Sequence, residues 1–301
     1  MLDRVIAAGE VAGRTVVAGV PRLRPFFGRW ARRERPSAAP VSLAQLEAAI
    51  REAGVEPGRD LLVHSSWAGM HGLRATPRQV VGMLRDVVGP SATLLMPSHP
   101  VEKARDGALV YDVAATPSRM GLLPESMRRL PGVRRCPCPI APVAALGPRA
   151  EEYTRDHRLE SERTPWGRGS AYAELCENGG QVLVLGIDFV RTLTLMHTAF
   201  DLLLERNPIA DYYEDVDYWV TWQGREERWT LRQQRRDLDG HLATFAFRRM
   251  ALRSGTVREI VRHDIRIAVA DAKAFLEWHL PIAERTGMPY WGFRHSSKSR
   301  R

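Results

Sequence analysis

Lysine is almost missing from this 301-residue chain: Lys103, Lys273 and Lys298 stand beside 41 arginines. So one-sided a choice reads as the mark of a GC-rich genome rather than of selection for guanidinium forks on phosphate. Cysteine is scarce as well. Cys136, Cys138 and Cys176 cannot build a disulfide framework, and the single Cys-x-Cys of "CPCP" lacks the second ligand cluster that a zinc site needs. No metal is expected. Long apolar runs are absent too. The N-terminal "VIAAGEVAGRTVVAGV" is short and carries Glu10 and Arg14, and no signal-peptide core with a cleavage site follows it. The expected compartment is a reduced cytoplasm, with no membrane partner.

What is present is an ordinary globular composition, 44% hydrophobic, with a net charge of +9. The charge sits at the ends. Residues 1 to 36 hold eight arginines against Asp3, Glu10 and Glu34, and "RHSSKSRR" from Arg294 adds +4, so residues 37 to 293 are neutral overall. A nucleic-acid-binding domain would carry its basic excess on the folded surface, so no nucleic-acid partner is expected. The organisation expected from this is a basic extension and linker over residues 1–40, one α/β domain over 41–290, and a basic tail over 291–301.

Within the body, local signals place the elements. Ser42 and Gln45 form a capping-box pattern ahead of "LAQLEAAIREAG", where folded structure is expected to begin, and Gly54 is the stop. Thr76, Pro77 and Gln79 repeat the pattern before "RQVVGMLRDVVG". The runs "DLLVHSS", "ATLLMPS" and "QVLVLGID" read as buried strands, and strand, helix, strand at this spacing means a parallel crossover. After Pro208 the texture changes. "DYWVTWQGREERWTL" reads as a hairpin, "GHLATFAFRRMAL" as a helix, "TVREIVRHDIRIAVA" as one or two strands, and "ADAKAFLEWHLPIAERTG" as a closing helix. The fold class expected is a three-layer α/β/α sandwich with a mixed central sheet, antiparallel toward the C-terminal part, where a hairpin and helices elaborate it.

Ligands of such sheets bind where strands end and loops fan out. That edge gathers "HSS" (64 to 66), "PSHP" (97 to 100), "TPWGRGS" and "GIDFVRTLTLMH". One residue there stands out. His197 interrupts the apolar helical run "RTLTLMHTAFDLLLER", and it is either a core histidine satisfied by backbone groups or a functional one.

Taken together, the segments "LLVHSS", "VVGPSATLLMPSHP", "VYDVAATPSRMGLLPESMRRLPGVRRC", "PVAALGPRAEEYTRDH", "TPWGRGSAYAELCENGGQVLVLGID" and "TLTLMH" resemble, in order and spacing, the aminoglycoside 3-N-acetyltransferase family. The match runs from about Ser42 to about Gly287. The resemblance implies acetyl coenzyme A (or another acyl coenzyme A) as co-substrate and a small-molecule amine as acceptor, often on a sugar or aminocyclitol, in antibiotic resistance or biosynthesis. It also agrees with the lack of a Gly-rich pyrophosphate loop. Coenzyme A is then expected at the strand-end loops, on His64, Ser65, Ser66, Thr164, Gly167 and Ser170, although Ser170 reads equally as a helix cap. His197 becomes the general base, since an ammonium must lose a proton before its nitrogen attacks a thioester. Thr194, one turn earlier, corresponds to a family threonine that donates to the developing oxyanion or positions substrate.

The chain departs from the family in two places. Phe200 stands where the family has a glutamate three residues after the histidine. Asp201, one position on and on the same side of the helix, is one candidate to replace it, and Asp188 is another. The family's His-Pro and following serine before "VAALG" are Cys138-Pro139 and Pro142 here, which implies an acceptor side remodelled for a different amine, hydroxylamine or hydroxyl. The acidic "DYYEDVDYW" is either part of that pocket or a solvated segment. Two other readings stay open: acyl transfer through a Cys138 thioester activated by His197, and a family member that has lost catalysis.

Overall fold

Strand-forming runs that are apolar on both faces fix the centre of the molecule. The computed structural model describes residues 2–19 and 39–295. Its strands, in chain order, are β1 (Leu61–Ser65), β2 (Leu94–Pro97), β3 (Ala104–Arg105), β4 (Ala108–Asp112), β5 (Arg134–Arg135), β6 (Val143–Leu146), β7 (Gln181–Leu185), β8 (Tyr213–Trp222), β9 (Arg225–Gln234), β10 (Val257–Arg262) and β11 (Ile265–Asp271). Seven of them make one mixed sheet in the order β10-β11-β7-β1-β2-β6-β5. Strands β7, β1 and β2 run parallel, and β11, β10, β6 and β5 are antiparallel additions at the two sides.

The period of two along each strand sends side chains to opposite layers. Leu62, Leu95, Val182 and Val184 pack with Leu175, Ala272 and Phe275 on one face. Leu61, Val63, Leu94, Met96 and Leu183 pack with Ile50, Val80, Leu84 and Met127 on the other. Each such fully buried side chain contributes about 1.5–3 kcal/mol, and the result is the expected three-layer sandwich. The expected caps form as well. Ser42 with Gln45 and Thr76 with Gln79 close both capping boxes, and Gly54 ends the helix Leu43–Ala53 at φ 107°.

Two features differ from expectation. The C-terminal hairpin is not an appendage of the main sheet. Strands β8 and β9, joined by Gln223 and Gly224 at positive φ as a two-residue turn requires, form a second sheet of order β3-β4-β8-β9. There β4 pairs in parallel with β8, Leu109 opposite Tyr218. The folded structure also does not begin at Ser42. A helix over Leu2–Gly19 buries Ala7 against Ala243, Ala246 and Met288. Its Glu10 accepts from Thr244 Oγ1 at 2.7 Å and from Phe245 N at 2.9 Å. At the other end, Trp291 N donates to His241 O and Ala210 N to Arg294 O, so residues 291–295 are tied to the body. The remainder of the expected extension and tail, residues 20–38 and 296–301, lies outside the described residues. Among the described residues no helix is long and apolar enough to cross a membrane.

Candidate active site

Because β7, β1 and β2 are parallel, their C-terminal ends lie on one edge and the residues that follow converge. Strand β1 delivers His64, the turn after β2 delivers His99, and the segment after β7 passes through a short turn, Phe189–Arg191, into the helix Leu195–Leu203 that carries His197. Two glycines let the segments after β1 and β7 touch. A Cβ on Gly69 would fall 1.7 Å from Gly186 O, and one on Gly186, itself at φ 70°, would fall 2.6 Å from Ser66 O. Only glycine fits at either position.

His64, His99 and His197 line one cleft of about 490 Å³, joined by Thr194, Trp166 and Gln234. The size suits a small molecule. His197 is half-buried. Its ring lies 4.7 Å from that of Trp166, centroid to centroid, its Nδ1 is 3.5 Å from Tyr290 Oη, and the Gln234 side chain also hydrogen-bonds it. Loss of water lowers the imidazole to about 4, against the Gln234 bond, so the ring is neutral at neutral pH. Burial takes His64 to about 3, and it takes His99 to about 3 with a smaller contribution from Arg119. Thr194 Oγ1 sits 3.3 Å from His64 Nε2. Two buried ring nitrogens of the lining, Trp166 Nε1 and His99 Nε2, have no hydrogen-bond partner among the described residues.

The structure thus brings His197, Thr194 and His64 together and places the other expected residues outside the cleft lining. Ser65 ends β1, and Ser66 N donates to Leu185 O. Thr164 Oγ1 donates to Ser161 O at 2.7 Å, a Cβ on Gly167 would come within 2.3 Å of that hydroxyl, and Ser170 Oγ accepts from Ala173 N as a helix cap. These three shape the loop that presents Trp166. Asp188 accepts from Val190 N and faces Arg248 at 3.6 Å and Arg266 at 3.4 Å, in a separate groove.

Asp201 departs furthest from expectation. Its carboxylate is buried, but Oδ2 accepts from Trp166 N at 2.9 Å and Oδ1 from Tyr213 Oη at 2.8 Å, and no hydrogen bond joins it to the imidazole. Burial raises it to about 7 despite both bonds. It holds the backbone of Trp166, whose ring packs on His197. Phe200 packs against Tyr212 and Tyr290, with centroids 5.3 and 5.2 Å away, and the group that meets Nδ1 is a phenol.

Cys138 is buried beneath the lining residues Pro139 and Ile140, and burial pushes its thiol up to about 11, so it lacks the thiolate a nucleophile requires. The acidic segment does not gather at the cleft. Asp217 faces Arg228 at 2.6 Å, Glu214 accepts from Gln233, and Asp211 lines another groove. Among the described residues, no group of His, Cys, Asp and Glu is arranged to hold a metal ion. Sequence reasoning left four contributors unnamed: His99, Trp166, Gln234 and Tyr290. "PSHP" and "TPWGRGS" signal the first two as strand-end loops, whereas nothing local marks Tyr290, 93 residues from His197.

The chain matches the family model described as Aminoglycoside 3-N-acetyltransferase over residues 62–277. Aminoglycoside N(3)-acetyltransferase VII of Streptomyces paromomycinus is 28% identical over 249 residues, covering 77% of this chain and 83% of that relative. Aminoglycoside N(3)-acetyltransferase IV of a Salmonella species is 35% identical over 154 residues, 50% of this chain but only 56% of the relative. Among solved structures, AAC-IIIb in a binary complex with CoASH aligns at TM-score 0.70 and 25% identity, covering 81% of this chain and 97% of that one. A histidine-to-alanine variant of aminoglycoside acetyltransferase AAC(3)-IVa in complex with gentamicin aligns at 0.69 and 25%, covering 86% and 93%.

Proposed function

The chain belongs to the aminoglycoside 3-N-acetyltransferase family, and on that premise we propose that it transfers an acetyl group from acetyl coenzyme A to an amine of a sugar, aminocyclitol or related small molecule, with His197 as general base. The observation that carries this reading is the place of the His197 imidazole in the wall of a ligand-sized cleft, held between the Trp166 ring and the Tyr290 hydroxyl. When Nδ1–H is donated to Tyr290 Oη, Nε2 keeps the lone pair that takes a proton.

His197 takes a proton from the acceptor's amine nitrogen as the new C–N bond forms and passes it to the sulfur as the thioester C–S bond breaks, so that coenzyme A leaves as the thiol and the imidazole is neutral again. Thr194 sits one turn earlier on the same cleft wall. A His64 Nε2–H donated to Thr194 Oγ1 leaves the threonine proton to aim at the developing oxyanion. For the donor, Pro139, Ile140 and Trp166 offer apolar surface, Thr192 and Gln233 offer partners for amides, and the guanidiniums of Arg119, Arg235 and Arg236 offer charge for phosphates.

The test is thiol release from acetyl coenzyme A on addition of amine. His197→Ala is expected to lower turnover by about 100-fold or more, the usual scale for a general base, with the affinity for acetyl coenzyme A unchanged. Near-full activity in that variant would return His197 to the core-histidine reading.

A further inference from the structure

Trp166 is held on the helix Leu195–Leu203 by its ring and by its backbone, and both contacts come from a single turn. The ring lies 4.7 Å from that of His197, centroid to centroid, and the backbone N donates to Asp201 Oδ2 at 2.9 Å. Positions i and i+4 share one side of a helix, so the imidazole and the carboxylate meet the loop together. The other oxygen, Asp201 Oδ1, accepts from Tyr213 Oη at 2.8 Å, which ties the start of β8 to the same point. Helix, loop and second sheet are thus joined at one buried side chain. Neighbouring bonds stay local: Thr164 Oγ1 donates to Ser161 O, and His157 meets the backbone of Thr164 and Pro165. The bond to Asp201 reaches across to the turn that carries His197.

This junction does not need a charge. An ionised Asp201 accepts both bonds, whereas a protonated one keeps Trp166 N on its carbonyl oxygen and donates to Tyr213 Oη instead. Both forms occur near neutral pH, since burial raises the carboxyl to about 7. For His197, the Trp166 ring is a cover against water. His99 and His279, which feel the charge of His197, and the Tyr290 phenol beside it are kept uncharged by burial, so access of water rather than a neighbouring ion sets the basicity of the imidazole. A buried N–H that loses its acceptor turns toward another. At Trp166 the ring would move with it.

We propose that Asp201 is a positioning residue: by holding the Trp166 backbone it keeps the Trp166 ring closed over the His197 imidazole, and it acts on the reaction through that ring alone. The proposal rests on the reading of His197 as base. In the full chain, the His197 imidazole is titrated by NMR and kcat is read from thiol release. Asp201→Leu, close in shape but without acceptors, should raise the His197 titration by about one pH unit toward 6.5 and lower kcat about tenfold. Asp201→Asn, whose oxygen and amide restore both bonds, should recover the parent's titration and most of its kcat. Trp166→Ala should raise the titration at least as far, and adding Asp201→Leu to it should move it no further. An Asp201→Leu variant with a lower melting temperature but the parent's His197 titration would make Asp201 a stabilising group only. That result, an unchanged titration in Trp166→Ala, a failed recovery in Asp201→Asn, or shifts that add in the double variant overturns the proposal. Failure of the base reading looks different: His197→Ala would then keep its kcat, while the NMR titration would still answer to Asp201→Leu.

Discussion

At the scale of the residue, the pair that sets the surroundings of His197 is Phe200 with Tyr290. A carboxylate beside an imidazole stabilises the imidazolium and raises its pKa, whereas a phenol fixes the ring without adding charge. Burial keeps Tyr290 a neutral phenol that adds no charge beside the ring, and loss of water holds His197 low, at about 4. Its sign matters for the pH profile. With His197 as the proposed base, the base is lost only as pH falls through about 4, so kcat/KM should rise with the deprotonation of the acceptor amine and show no separate limb near 6.5. Tyr290→Phe removes the orienting hydroxyl and keeps the ring that packs on Phe200. One neutral hydrogen bond is worth about 1 kcal/mol. The expected result is a fall in kcat of about fivefold with acetyl coenzyme A affinity intact, checked by steady-state kinetics and calorimetry. A fall in affinity with kcat unchanged would instead make Tyr290 a donor-binding group.

At the scale of the element, what was legible in the sequence is what short-range chemistry writes. The capping boxes at Ser42 and Thr76 and the Gln223-Gly224 turn depend on residues within a few positions of each other, and each forms as read. The candidate cleft was legible to the same extent: that His197, Thr194 and His64 meet follows from strand ends, while Tyr290 arrives through tertiary packing. The second sheet was illegible for the same reason, since β4 finds its partner β8 more than a hundred residues away. So was the role of the N-terminal helix. The helix Thr244–Ser254 begins at Ala243, which has no side chain to cap it, and the carboxylate of Glu10 supplies the acceptors from a distant part of the chain. A negative group at a helix N-terminus answers both its free N–H groups and its dipole. Glu10→Ala is therefore expected to cost about 1 kcal/mol, read as a melting point lower by about 2–4 °C. An unchanged melting point would mean that the helix over Leu2–Gly19 adds no stability through this cap.

At the scale of the whole molecule, the same burial that readies the site makes the fold acid-sensitive. His64, His99, His157, His197 and His279 are all held below their ordinary value by desolvation, at about 3 or 4. In the unfolded chain each takes a proton near 6.5, so between 6.5 and 4 the unfolded state binds more protons and stability falls as pH falls. Asp201 works the other way. Raised to about 7, it carries a proton in the folded state that an unfolded aspartate sheds above 3.8, which offsets one histidine in that window. The net imbalance near pH 5 is about four protons. The melting temperature should therefore be highest above pH 6.5 and drop steeply toward pH 4, with salt making little difference because desolvation rather than surface charge is the cause. His279 offers a test away from the cleft. Its Nε2 lies 2.8 Å from Met288 O, a contact that a glutamine amide can reproduce without titrating. His279→Gln should flatten the pH dependence of stability by about 1.4 kcal/mol per pH unit below 6.5, read from denaturant melts at pH 7 and pH 5. Parallel pH dependences in parent and variant would show that His279 charges in the folded state, and that the acid sensitivity belongs to the other four histidines.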